Sequence, residues 1–325
     1  MTAPLVDLTA LRAFLVTHAV PGLDEVTATP DGGTAHRRLV RSPDGATATL
    51  TVTLSSGALG TPSIDADGGP DAVATARAAG HRWLGLDIDP APGGAALSED
   101  PVLGPLVRAR PHLRVPGSTD AFETAVLVVL GQHVSLAAGR VFAARLVAAH
   151  GLALDPARGV GCSAGGSGDH LSTRPDGLRS FPAPEVLAEL DPVDLRATVG
   201  VTGARARTVV AIARAVTEGT VHLRSQEHFA ESGPSTALSA RSAPDFARIR
   251  AELMALPGVG PWTADLVALR ALRDPDVFLP GDLVLRKALG GVCATEAAGM
   301  AEAWRPHRSL AVLHLWTHHA IDPAR

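Results

Sequence analysis

The chain has 325 residues, 46% of them hydrophobic, and a formal net charge of −4, so it can fill two or three cores but lacks the basic balance that marks many nucleic-acid-binding domains. Its two cysteines, Cys162 and Cys293, stand far apart, which argues against a structural zinc site or an iron–sulfur cluster. No basic-then-apolar leader opens the sequence and no run of about 18 apolar residues occurs, so a soluble, cytoplasmic protein without a membrane span is expected.

Leu8 to Ala19 has helical spacing, and Ala46 to Leu54 (ATATLTVTL) alternates as a half-buried strand. Gly68-Gly69-Pro70 breaks the chain before a short helix over Asp71 to Ala79. Arg108-Ala109-Arg110-Pro111 and Pro116-Gly117 punctuate the end of this mixed region, and a boundary is expected near residue 117. Beyond it the pattern turns helical. Asp120 and Glu123 form a capping-box pair ahead of AFETAVLVVLGQ, and Ser135 opens LAAGRVFAARLVAAH, which Gly151 closes. Residues 155–180 and 225–243 are polar, without apolar periodicity, and read as insertions. Between them come short helices near 184–190 and 192–198 and a longer one from about 203 to 218, ended by Gly219. The predicted class is α+β: a small mixed α/β domain over 1–117, then a mainly helical domain over 118–325.

The informative residues lie in the last quarter. In AELMALPGVGPWTADLVALRAL, two helical segments flank Leu256-Pro257-Gly258-Val259-Gly260. The glycines allow a tight turn and expose successive amides at the start of the next helix. Such a turn binds phosphate through N–H groups and the helix dipole, without basic side chains. LPGVGPxTA is a helix-hairpin-helix signature, a sequence-independent clamp on the DNA backbone; an ordinary αα-turn is the plainer alternative. Asp282 follows in Val277-Phe278-Leu279-Pro280-Gly281-Asp282-Leu283, just ahead of LVLRKALGG. Taken alone it reads as an N-cap worth about 1 kcal/mol.

The hairpin followed some twenty residues later by this aspartate resembles the helix-hairpin-helix DNA glycosylases, and specifically the bacterial 3-methyladenine DNA glycosylase II, or AlkA, type. Further matches occur in order: Ala109-Arg110-Pro111 and Pro116-Gly117; Asp120-Ala121-Phe122-Glu123 with Leu130-Gly131-Gln132; Trp304-Arg305-Pro306; and Leu313-His314-Leu315-Trp316. The resemblance implies a monofunctional enzyme that flips alkylated purines out of double-stranded DNA and hydrolyses their N-glycosidic bonds in base excision repair. It implies Asp282 as the catalytic carboxylate and Trp316, Trp262, Leu266 and Gln132 around the base. Leu256, Pro257, Gly258, Val259, Gly260, Thr263 and His133 would meet DNA. No side-chain metal site and no cofactor are expected; a monovalent cation on the hairpin carbonyls is. A nucleoid-associated monomer acting on damaged duplex follows.

The chain departs from the AlkA pattern twice. His133 stands where that type carries an apolar wedge, and Leu266 where it has a pocket tyrosine. A cationic, N-alkylated purine departs without a general acid, so one carboxylate beside C1′ suffices to stabilise the oxocarbenium ion. Trp316 offers that cation an indole face; a core tryptophan is its plainer reading. A lyase for oxidised bases needs an amine nucleophile, yet Lys287 is the sole lysine, and Trp262 occupies the position after the hairpin where lyases place theirs. His314, His318 and His319 have i, i+4 spacing but no carboxylate to complete a metal site. A non-catalytic helix-hairpin-helix DNA-binding protein is the remaining alternative.

Overall fold

A computed structural model describes residues 4–153, 177–223 and 245–321. It is α+β, as expected. A four-stranded antiparallel sheet comes first, built from β2 (Asp24–Ala28), β3 (Thr34–Arg41), β4 (Thr47–Leu54) and β6 (Ser63–Asp67) in the order β2-β3-β4-β6. Two short strands, β1 (Val6–Asp7) and β5 (Leu59–Gly60), pair beside it. In β4, alternate residues Ala48, Leu50, Val52 and Leu54 are buried, as period-two patterning requires. They meet α1 (Leu8–His18) and α2 (Pro70–Trp83) in one apolar core. At Gly80 a Cβ would lie 2.8 Å from the Ile64 side chain, so glycine is what lets α2 approach the sheet.

β2, β3 and β6 lack the apolar alternation that reveals β4. The inner face of β3 instead carries His36 and Arg38, both buried. Arg38 Nη2 donates to both carboxylate oxygens of Glu123, at 2.7 and 2.8 Å, and Asp24 stands 3.6 Å from Nη1. This alters the expected capping box. Asp120 accepts from the Glu123 N–H at 2.7 Å, but the Glu123 carboxylate turns to Arg38 instead of back to the cap. Burial pushes that carboxyl upward, and the Arg38 charge pulls against it. A buried ion pair of this kind is costly to break from one side.

After α3 (Ala91–Leu97) and α4 (Leu103–Ala109), the second core is organised around α5 (Ala121–Leu130). This helix is apolar on nearly every side because it is surrounded. It packs against α6 (Leu136–His150) and α9 (Gly203–Thr217); α7 (Pro184–Ala188) and α8 (Pro192–Val199) lie on α9, and α10 (Phe246–Met254) comes next in the chain. They are followed by α11 (Pro261–Val267), which runs into a π-helical turn over Ala268–Leu272, then α12 (Leu283–Ala288), α13 (Ala294–Ala301) and α14 (Arg308–Ile321). Arg273 crosses to Asp87 at 2.8 Å and to the Val115 carbonyl, and Arg270 stacks 3.9 Å over Phe14. The two polar insertions fall outside the described residues, apart from 177–180, where Ala153 and Arg179 form an isolated antiparallel bridge. Among the described residues no helix is long and apolar enough to cross a membrane.

Candidate active site

The hairpin joins α10 to α11. Gly258 adopts φ +83°, and a Cβ there would sit 2.1 Å from Thr208 Oγ1, so glycine is required twice over. Val259, only 7% exposed, plugs the turn into the core. Gly260 is the extended N-cap of α11, with open space around it and no side chain capping the helix. Pro261 at the first helical position lacks an N–H that would otherwise want a partner.

Side chains brace this turn from the protein side. Thr208, on α9, donates to the Pro257 carbonyl at 2.9 Å. Gln132 Nε2 donates to the Gly258 carbonyl at 3.2 Å and to Thr263 Oγ1 at 2.7 Å, while Arg205 donates to the Gln132 carbonyl. The Gln132 amide is therefore engaged on the hairpin. Thr208 and Arg205 are partners that sequence reading missed; a hydroxyl inside the apolar face of α9 was the available signal. His133, next in the chain, is exposed and left-handed at φ 53°. Non-glycine residues pay of order 1–3 kcal/mol for that conformation. The Leu256, Pro257 and Gly258 carbonyls each accept one hydrogen bond and keep a second lone pair, oxygen chemistry that suits a hard monovalent cation.

Asp282 caps α12. Its Oδ1 accepts from Val284 N and Leu285 N at 2.9 Å each and from Trp316 Nε1 at 3.3 Å. Oδ2 has no hydrogen-bond donor among the described residues, and the residue is half-buried. The cap role and an outward-facing oxygen thus coexist in one carboxylate. The loop before it is fastened to the start of α14: Asp276 pairs with Arg305 at 2.6 Å and Arg308 at 2.7 Å, and Ser309 Oγ receives Val277 N at 3.0 Å. Those bonds fix the distance between the loop carrying Asp282 and the helix carrying Trp316.

Trp262 is 37% exposed at the start of α11, and Leu266 is half-buried against the main core, as is Trp316. No described hydrogen bond ties Trp262 to Asp282. Asp265 pairs with Arg250, so it and Asp276 are both committed to arginines. Lys287 is exposed on α12. His314 is buried, with Nδ1 unpartnered; burial, with Arg110 adding to it, pushes its imidazole down to about 4. Among the described residues no cluster of three or more His, Cys, Asp or Glu is placed to hold a metal ion.

Residues 3–120 match the AlkA N-terminal domain. Over 307 residues, 93% of its length, the chain is 36% identical to a probable bifunctional transcriptional activator/DNA repair enzyme AlkA of Mycobacterium tuberculosis, and spans 53% of that protein. It is 35% identical over 214 residues, 66% of the chain, to DNA-3-methyladenine glycosylase 2 of Escherichia coli, and spans 63% of it. Among solved structures, an 8-oxoguanine glycosylase/lyase of Clostridium acetobutylicum with double-stranded DNA superposes with a TM-score of 0.59. The match covers 91% of this chain and 98% of that one at 16% identity, which shows a shared fold.

Proposed function

We propose, from the match of residues 3–120 to the AlkA N-terminal domain and from the likeness to the two relatives above, that the chain is a monofunctional helix-hairpin-helix DNA glycosylase of the AlkA type, releasing alkylated purines from duplex DNA. The observation that carries this reading is Asp282. One oxygen is fixed by three N–H donors, Trp316 among them, and the other is left for the reaction. A purine methylated at N3 or N7 is a cation. Its C1′–N bond breaks heterolytically, the electron pair leaves with the base, and the sugar becomes an oxocarbenium ion. Oδ2 stabilises that charge and orients the water that adds to C1′ and loses a proton. The product is an intact abasic strand.

Leaving-group protonation is unnecessary for such a base, which fits a site where Asp265 and Asp276 are already paired with arginines. Trp316 presents an indole face beside the carboxylate, and a cationic base gains about 0.5–2 kcal/mol by stacking there. Trp262 and Leu266 would line the remainder of the base site. The Leu256–Gly260 turn, with Thr263 behind it, would hold a phosphate of the flipped strand through backbone amides. A monovalent cation on its carbonyls would add positive charge beside that phosphate. His133, on its exposed left-handed corner, would fill the gap left by the extruded nucleotide.

The fold neighbour acts on 8-oxoguanine as a lyase, and the same fold makes that the second reading. Single-turnover release of 3-methyladenine, 7-methylguanine and 8-oxoguanine, each with borohydride trapping, separates the two. Release of the methylated bases without an adduct, and strand cleavage only on added alkali, is expected. A borohydride adduct at Lys287 would establish the lyase instead, and faster release of 8-oxoguanine without an adduct would overturn the preference for alkylated purines.

A further inference from the structure

The α8–α9 connection repeats the geometry of the hairpin. In the first, Leu253 is buried, Gly258 follows five residues later at φ +83°, Val259 is buried, and Gly260 is an extended N-cap. In the second, Leu195 is buried, Gly200 follows five residues later at φ +83°, Val201 is buried, and Thr202 is an extended N-cap whose side chain accepts from Arg205 N. The second turn is thus another helix–turn–helix, with a different surface. Where the hairpin has bare glycine and proline, this turn is ringed by arginines.

A Cβ on Gly200 would meet the Arg145 guanidinium at 2.6 Å, and Arg145 Nη1 donates to the Val199 carbonyl at 3.2 Å. A Cβ on Gly203 would lie 3.5 Å from Arg207 Nη1 and 3.9 Å from Arg196 Cδ. Arg145, Arg196 and Arg207 are all exposed, and none has a carboxylate partner among the described residues. That is unusual in a chain of net charge −4 whose Arg305 and Arg308 are spent on Asp276 and Glu302. Asp194 is two residues from Arg196 and so points to another side of α8. Glu218 lies at the far end of α9.

The two turns are mechanically joined. Thr208, five residues along α9 from Gly203, bonds to Pro257, and Arg205 reaches the hairpin through Gln132. At 1.5 Å per residue, Gly203 and Thr208 are separated by about 8 Å along the helix. A DNA strand advances that far in about two nucleotides, at 3.4 Å each. An open groove beside α9 runs from Arg207 past Arg214 to Glu218 and is also lined by Leu256 of the hairpin.

We propose that Arg145, Arg196 and Arg207 around the Gly200–Gly203 turn form a second duplex-binding surface, which holds backbone phosphates of the same DNA that the Leu256–Gly260 hairpin clamps. The inference rests on the glycosylase reading above. The surface gives charge, and hence salt-dependent, sequence-independent affinity, to a protein whose composition has little to spare. Guanidinium groups suit this task because their planar donors grip phosphate oxygens in pairs.

The test is the salt dependence of binding to an undamaged duplex. Each phosphate contact contributes about 0.9 to the slope of log affinity against log salt, or about 3–4-fold in affinity between 50 and 200 mM. The double variant Arg196→Gln/Arg207→Gln should lower the slope by about 2 and weaken binding at 50 mM salt about tenfold or more. Arg77→Gln, an exposed arginine on α2, serves as the charge control and should leave the slope in place. Both variants should melt with the wild type, since no described hydrogen bond or ion pair uses the side chains of Arg196 or Arg207. A double variant with the wild-type slope overturns the second surface. If wild type releases methylpurines in the single-turnover assay on methylated duplex, the glycosylase reading stands without the second surface; if wild type releases none there, the function itself is wrong.

Discussion

Replacing Asp282 by asparagine separates its observed role as a helix cap from its proposed role in catalysis. The three N–H groups that meet Oδ1 would find the asparagine carbonyl in the same place, so the cap on α12 and the tie to Trp316 survive. Loss of a cap costs about 0.5–2 kcal/mol, and this substitution should cost little of it. What disappears is the negative charge. A unit charge about 4 Å from a full cation is worth about 4 kcal/mol at an effective dielectric of 20. The oxocarbenium carries only part of a charge next to solvent, so about 2.7 kcal/mol, a loss of about 100-fold in rate, is the expected minimum. Single-turnover release of 7-methylguanine with enzyme in excess reads the chemistry, and fluorescence anisotropy on an abasic duplex reads binding. Asp282→Ala serves as the comparison, because it removes cap and charge together and should also lower stability by about 1 kcal/mol. A folded Asp282→Asn that releases base within a few-fold of wild type would show that another group stabilises the cation.

The two hairpin glycines should respond differently. Gly258→Ala forces a Cβ against Thr208 at a positive φ and should destabilise the fold by about 2 kcal/mol or more in urea unfolding, whereas Gly260→Asp has open space, should fold normally, and should weaken damaged and undamaged duplex alike; wild-type affinity in Gly260→Asp would rule out the amide clamp. Trp316→Phe keeps an aromatic face but loses the bond to Asp282 and should slow release while preserving the preference for cationic bases; Trp316→Ala should erode that preference by about 0.5–2 kcal/mol, and an unchanged preference would remove stacking from the mechanism. Burial holds the His314 imidazole down to about 4, below the ordinary histidine value of about 6.5, so the unfolded chain takes the proton first as pH falls. Stability should be lost from about pH 7 down to about pH 4, by up to about 3 kcal/mol, and His314→Leu should flatten that part of the profile of urea midpoints; parallel profiles would refute it.

Much of the architecture was legible because packing and patterning agreed. β4, α5, α6 and the α10–α11 hairpin each show the apolar period or cap that their environment demands. β3 was illegible for a physical reason. Its buried face carries His36 and Arg38, and a strand with a charged inner face looks like a polar connection until its partner is known. That partner is Glu123, 85 residues away, which the sequence offered as half of a capping box. The second turn was equally hidden: Gly200-Val201-Thr202-Gly203 reads as an ordinary helix break, and only its torsion angle and its bond network set it beside the hairpin.

Asp282 shows why local sequence left a choice between cap and catalyst. The choice is false for a carboxylate with two oxygens, since backbone amides can hold one while the other faces outward. In the proposed mechanism, capping then becomes part of the chemistry. A carboxylate on a free rotamer would lose orientation each time it stabilised charge, whereas this one is fixed by two amides and an indole before any DNA arrives. The indole adds a constraint of its own. Trp316 lies 34 residues further along the chain, so its bond to Asp282 persists only while the loop stays fastened to α14. That fastening is the Asp276 pairing with Arg305 and Arg308, together with Ser309. The aspartate that reads as a plain loop residue therefore acts at a distance, by keeping the stacking face and the carboxylate in one register.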